Sequence, residues 1–186
     1  MRWDELFADL EAQADALELA ERATEVSERA RIEFASIAML ERLRAGIGGP
    51  LRVQLLGGLN VAGTLVRAGS DWLLCQEGPG REALIATSAV RAVHGLGRLS
   101  AVPGSGGPVL ARLTLRSALR GIARDRSGVR LHLVDGEVLD ATIDRVGADF
   151  IEAARHPASE ARRRGEVREV VLMPMAALAA VRRDAG

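Results

Sequence analysis

Between residues 51 and 93 the chain alternates apolar and polar positions in short bursts. Leu51, Val53 and Leu55 alternate as one strand, Gly57-Gly58 reads as a turn, and Val61, Gly63 and Leu65 share a face of a second strand. Ala68-Gly69-Ser70 turns again. Asp71 to Gln76 is a third strand, apolar enough to be buried on both faces. A loop at Gly78-Pro79-Gly80 leads to a fourth strand, Ala83 to Thr87, and a short fifth, Val90 to Val93. Five short strands with tight glycine turns predict a small barrel.

The same pattern comes twice. Leu131 to Ala153 overlays Val53 to Cys75 with identities at Gly58/Gly136, Thr64/Thr142, Arg67/Arg145, Gly69/Gly147 and Asp71/Asp149. Average composition would give about one or two such matches. The second set of strands is Leu131 to Val134, Val138 to Ile143, Asp149 to Ala154, Val167 to Met173 and Leu178 to Val181. An extra segment, 156–165, separates its third and fourth strands. A repeat at this spacing governs the whole fold expectation.

Elsewhere the period is helical. Residues 3–45 lack Gly and Pro, and Trp3, Leu6, Phe7, Leu10, Ala14 and Leu17 form an apolar stripe. The stripe thins between Ala20 and Ala30 and resumes with Ile32, Phe34, Ile37, Leu40 and Leu43. One long helix fits, or two joined at a weak point near Thr24–Ser27. The stripe serves either core packing or a coiled coil. Gly46 to Pro50 ends the helix with glycines and then a proline. A second helix, Val109 to Arg124, carries Leu110, Leu113, Leu115, Leu119 and Ile122. The expected organisation is a long acidic N-terminal helix (1–45), a first barrel (46–94), a Gly/Pro/Ser-rich linker (95–109), and a helix plus second barrel (110–186). The fold class is mainly β with helices.

Charge refines this picture. The net charge is zero, which argues against coating nucleic acid by bulk charge. Residues 1–45 nevertheless hold 11 acidic and 6 basic side chains, and the remainder 14 and 19, so an acidic arm joins a mildly basic body. Every basic residue is arginine. Arg116, Arg120 and Arg124 recur every fourth residue on one helix face, extended by Arg112, Arg126 and Arg130, with only Asp125 opposing. Arg162, Arg163 and Arg164 add a basic loop. Such arginines can grip phosphates with two hydrogen bonds each. The alternative is a solvated face, or one paired with the acidic helix.

No reactive constellation accompanies them. His94, His132 and His156 share no spacing with Asp, Glu or Cys, so neither a metal site nor a catalytic cluster is expected. Cys75, the lone cysteine, lies on a strand expected to be buried and reads as an inert thiol. Gly104 to Gly107 lacks the lysine of a phosphate loop and reads as linker. Asp71 and Asp149 read as turn caps, and Trp72 and Phe150 as core. No apolar run reaches about 18 residues and no signal peptide is visible, so a cytoplasmic protein with no membrane role is expected.

Leu133-Val134-Asp135-Gly136, followed by Val138-Leu139 and then Ala141 and Ile143, resembles the first signature of the Sm-like family that includes Hfq. Gly63 supplies the family's second glycine in the first copy. A group of bacterial proteins with the same acidic helix is similar as well. The resemblance implies two tandem Sm-like five-stranded barrels, each preceded by a helix, and edge pairing of strand 4 with strand 5. It also implies RNA as the class of ligand. The family's pocket residues do not carry over: no asparagine follows Asp71 or Asp149, and Thr87-Ser88 and Met175-Ala176 stand where Hfq has lysine and histidine. The expected function is non-enzymatic, without cofactor: a nucleic-acid-binding regulator, RNA before DNA, using Arg116, Arg120, Arg124 and Arg162 to Arg164 on single-stranded RNA. The alternative is a protein-interaction scaffold. Self-association is expected through residues 3–30 or barrel edges, a dimer through the helix before a closed ring.

Overall fold

The computed structural model describes residues 3–102, 112–155 and 169–184. The chain divides into two compact units, Met1–Ala38 and Met39–Gly186.

The first unit is a single helix, α1 (Trp3–Ala35). It runs unbroken through Thr24–Ser27, the place where the two-helix alternative put a joint. Ion pairs one turn apart, Glu18–Arg22 and Glu25–Arg29, bracket that stretch, and the Thr24 hydroxyl donates back to the Ala20 carbonyl. The helix stops at Ser36 instead. Its N–H and hydroxyl both turn to the Glu33 carbonyl, and Ile37 N–H bonds Phe34 O, tightening the last turn. Trp3, Phe7, Leu10 and Leu17 are exposed along this helix.

The second unit begins with α2 (Met39–Ala45), whose Leu43 is buried. Five strands follow: β1 (Pro50–Leu55), β2 (Asn60–Ala68), β3 (Trp72–Gly78), β4 (Arg81–Ala86) and β5 (Val90–His94). Then come α3 (Leu115–Asp125) and β6 (Gly128–Leu133), β7 (Val138–Val146), β8 (Phe150–Arg155), β9 (Glu169–Pro174) and β10 (Leu178–Asp184). Alternation does what it promised in β1: Leu51, Val53 and Leu55 are buried while Arg52 and Gln54 face out. α3 starts at Leu115, with Thr114 capping it, inside the stretch expected to be helical from Val109. The linker is partly docked: the Arg42 guanidinium donates to the carbonyls of Gly97, Arg98 and Leu99, and Ala101 N–H bonds Glu41 O.

The repeat is written into backbone detail. Thr87 N–H bonds Asp71 O at 3.0 Å, and Met175 N–H bonds Asp149 O at 2.7 Å. Matching register shifts fall in β2 between Leu65 and Arg67, and in β7 between Ile143 and Arg145. At Gly63, ahead of the shift in β2, a Cβ would overlap the Gln76 carbonyl, so the bent strand admits no side chain there.

All pairings are antiparallel, in the order β5-β1-β2-β3-β4-β10-β6-β7-β8-β9. The two sets of five strands belong to one sheet. They run into one another at a seam where β10 pairs with β4, and the ten-stranded sheet does not close on itself. The cores interleave at that seam. Ala180 of β10 joins the first core, around Val53, Leu65, Leu73 and Ile85. Trp72, Leu84 and Ala86 of the first half join the second, around Leu119, Leu131, Ile143 and Ile151.

Candidate nucleic-acid interface

Sequence places Thr114 just before a run of helix formers, and it caps α3 by accepting Ser117 N–H at 3.2 Å. The next free N–H, that of Leu115, goes to a residue 44 positions away: Asp71 Oδ1 accepts it at 2.6 Å. Negative charge at a helix N-terminus meets the positive end of the helix dipole. Leu113 O, just upstream, accepts from Trp72 Nε1 at 2.7 Å and from Ser70 N–H at 3.2 Å. The turn before β3 thus fixes where the helix begins. Leu115 and Leu119 are buried against the second core, which settles the helix's rotation.

That rotation sends Arg116, Arg120 and Arg124 outward, and all three are exposed. One helical turn apart, they rise about 6 Å per step along the axis. Within the described residues of this unit, none of the three has a carboxylate partner in a salt bridge. Arg130 leaves the row: its Nε pairs with Asp140 at 2.9 Å. Asp125, the acid expected to oppose the row, pairs with Arg183 at 3.7 Å. Arg126 forms the helix's left-handed cap at φ 51°, bonding Ala123 O. Arg162, Arg163 and Arg164 lie outside the described residues, as does His156.

Arg116 lines a cavity of about 390 Å³ at the N-terminal end of α3. Its walls come from matching places in the two repeats. Asp71 and Ala148 belong to the turns before β3 and β8; Thr87-Ser88 and Met175-Ala176 belong to the single-turn helices before β5 and β10. No sequence signal reveals Asp71 as the second cap of α3, because the contact is made by tertiary packing alone.

The remaining candidates are dispersed. His94 is exposed at the end of β5, while His132 is buried on β6 with its Nε2 unpartnered. Burial first, then the Arg182 and Arg130 charges, hold His132 below the ordinary imidazole value. The buried Cys75 thiol is pushed up to about 12 by burial and by Glu77. It therefore stays protonated and unreactive near neutral pH. Among the described residues no cluster of His, Cys, Asp and Glu could hold a metal ion, and no helix is long and apolar enough to cross a membrane. Trp72 is core, as expected, whereas Phe150 is half-buried. The chain matches no protein-family model and no curated protein.

Proposed function

We propose that this protein is a non-enzymatic Sm-like nucleic-acid-binding regulator, in which each set of five strands is an Sm-like small barrel. On this reading single-stranded RNA lies along α3, its phosphates held by Arg116, Arg120 and Arg124. The observation that carries the proposal is the outward row of these three arginines, unpaired in salt bridges with described residues of their unit and running up to a cavity walled by both repeats. Arginine binds phosphate through paired N–H groups, and such contacts need no aromatic platform. The strand order supports the fold half of the reading. It contains 5-1-2-3-4 twice, with strand 4 of the first copy beside strand 5 of the second, as the family resemblance implies.

The test is a titration with single-stranded RNA across salt concentrations. Each phosphate contact in a single strand contributes about 0.7 to the slope of log K against log salt. Changing Arg116, Arg120 and Arg124 together to Ala should flatten the slope by roughly 2. Changing Arg162, Arg163 and Arg164 to Ala as well should flatten it further. Absence of binding at low salt would overturn the proposal and favour an interaction scaffold.

A further inference from the structure

The two repeats differ in charge on the outward face of their first strands. In the second repeat a row of three side chains runs across β10, β6 and β7, where Arg182, Arg130 and Asp140 stand opposite one another in register. That row neutralises itself. Arg130 Nε donates to Asp140 Oδ1 at 2.9 Å, and the Arg182 guanidinium donates twice to Glu77. The matching row of the first repeat runs across β5, β1 and β2 as His94, Arg52 and Ala62. Alanine stands where the second repeat has its aspartate. Among the described residues, neither Arg52 nor His94 has a carboxylate partner.

The missing carboxylate leaves space as well as charge. His94, Arg52 and Ala62, with Pro50 and Thr64, line an open groove of about 630 Å³. Residues opposite one another in a ladder project from the same face of the sheet. Three kinds of donor therefore share this groove: a guanidinium, an imidazole N–H and the Thr64 hydroxyl. They come from three adjacent strands, which the ladder holds about 4.8 Å apart. Pro50 and Ala62, both exposed, give the groove apolar surface beside the donors.

We propose that this groove binds a small phosphate monoester. Its phosphate sits on Arg52, His94 and Thr64, and its organic group lies over Pro50 and Ala62. A phosphate monoester presents three terminal oxygens to the three donors, where a carboxylate presents two. The planar fork of Arg52 can hold two of those oxygens at once. Burying the organic group against Pro50 and Ala62 adds apolar contact that a free phosphate ion lacks. In the second repeat the same place is closed, because Asp140 already occupies the arginine. The site lies on β1, β2 and β5, apart from the arginine row of α3, and is independent of nucleic-acid binding.

Titration calorimetry of the full chain with phenyl phosphate tests it, with inorganic phosphate alongside. Phenyl phosphate should bind about tenfold tighter than inorganic phosphate, because its ring covers the apolar wall. Arg52→Gln should weaken phenyl phosphate at least about tenfold. Ala62→Asp gives Arg52 the partner that Arg130 has, and should abolish binding while the urea midpoint holds. Arg91→Gln removes the same charge from an exposed position on β5 outside the groove, and should leave the affinity unchanged. The proposal is overturned if phenyl phosphate does not bind, or if Ala62→Asp binds it as the wild type does. It is equally overturned by equal affinity for the two phosphates, or by equal losses in Arg91→Gln and Arg52→Gln, either of which would mean an adventitious ion only.

Discussion

Arg182 closes on Glu77 with two hydrogen bonds, Nη2 to Oε1 at 2.6 Å and Nε to Oε2 at 2.8 Å, joining positions 105 residues apart. Both side chains are largely shielded, at 25% and 17% exposure, so solvent screens the pair less than a surface bridge. Nη2 also reaches Asn60 O at 3.3 Å. The pair ties β10 to the first half of the sheet. Glu77→Gln should cost on the order of 1–3 kcal/mol, read as a lower urea midpoint. Glu82→Gln, an exposed neighbour on β4, should change it little.

The two strand-joining turns make a second, separable prediction. Gly57 and Gly58 both have positive φ, 74° and 80°. Gly58 faces open space, so Gly58→Ala should cost only the left-handed strain, about 1–2 kcal/mol. Gly57→Ala adds a clash with the Leu133 carbonyl and the Gly136 amide, neither of which can rotate away. It should be the more damaging change by a clear margin in denaturant melts.

His132 predicts a dependence on pH. Its folded-state value lies below the usual 6.5, chiefly through burial, with Arg182 and Arg130 adding repulsion and Glu77 and Asp140 opposing it. The unfolded chain therefore takes up the proton first as pH falls. Stability from this group is complete above 6.5 and is lost progressively below it, down through the folded value. His132→Gln, which copies Gln54 at the matching place in the first repeat, should flatten the fall in urea midpoint from about pH 7.5 to about pH 5.5.

The strands were legible because each half-buried strand writes a period of two and each turn carries glycine. The identities at Gly69/Gly147 and Asp71/Asp149 set the repeat in register. The break in the N-terminal helix was not legible. Thr24 and Ser27 have weak helix propensity, but side-chain pairs carry the helix past them, and it ends where the Ser36 backbone folds onto Glu33. The face of α3 was readable from the spacing of Arg116, Arg120 and Arg124. Its anchorage on Asp71 was not, because a contact across 44 residues leaves no local trace. Arg130 continues the arginine series in the sequence, yet it lies on β6, where it pairs with Asp140 across the strands.

Among the described residues β10 is the last of ten strands, yet it sits in the middle of the sheet, between β4 and β6. On a ribosome the first five strands emerge long before the strand that joins them to the rest. Until Leu178 to Asp184 follow, β4 presents a bare ladder and Leu84 is uncovered. Joining the halves is thus a late event with long sequence separation, the kind of step that slows folding. During that interval β4 of a nascent chain is open to the β10 or β5 of a neighbour on the same message, so the arrangement that unites the molecule also exposes it to exchange of strands between copies.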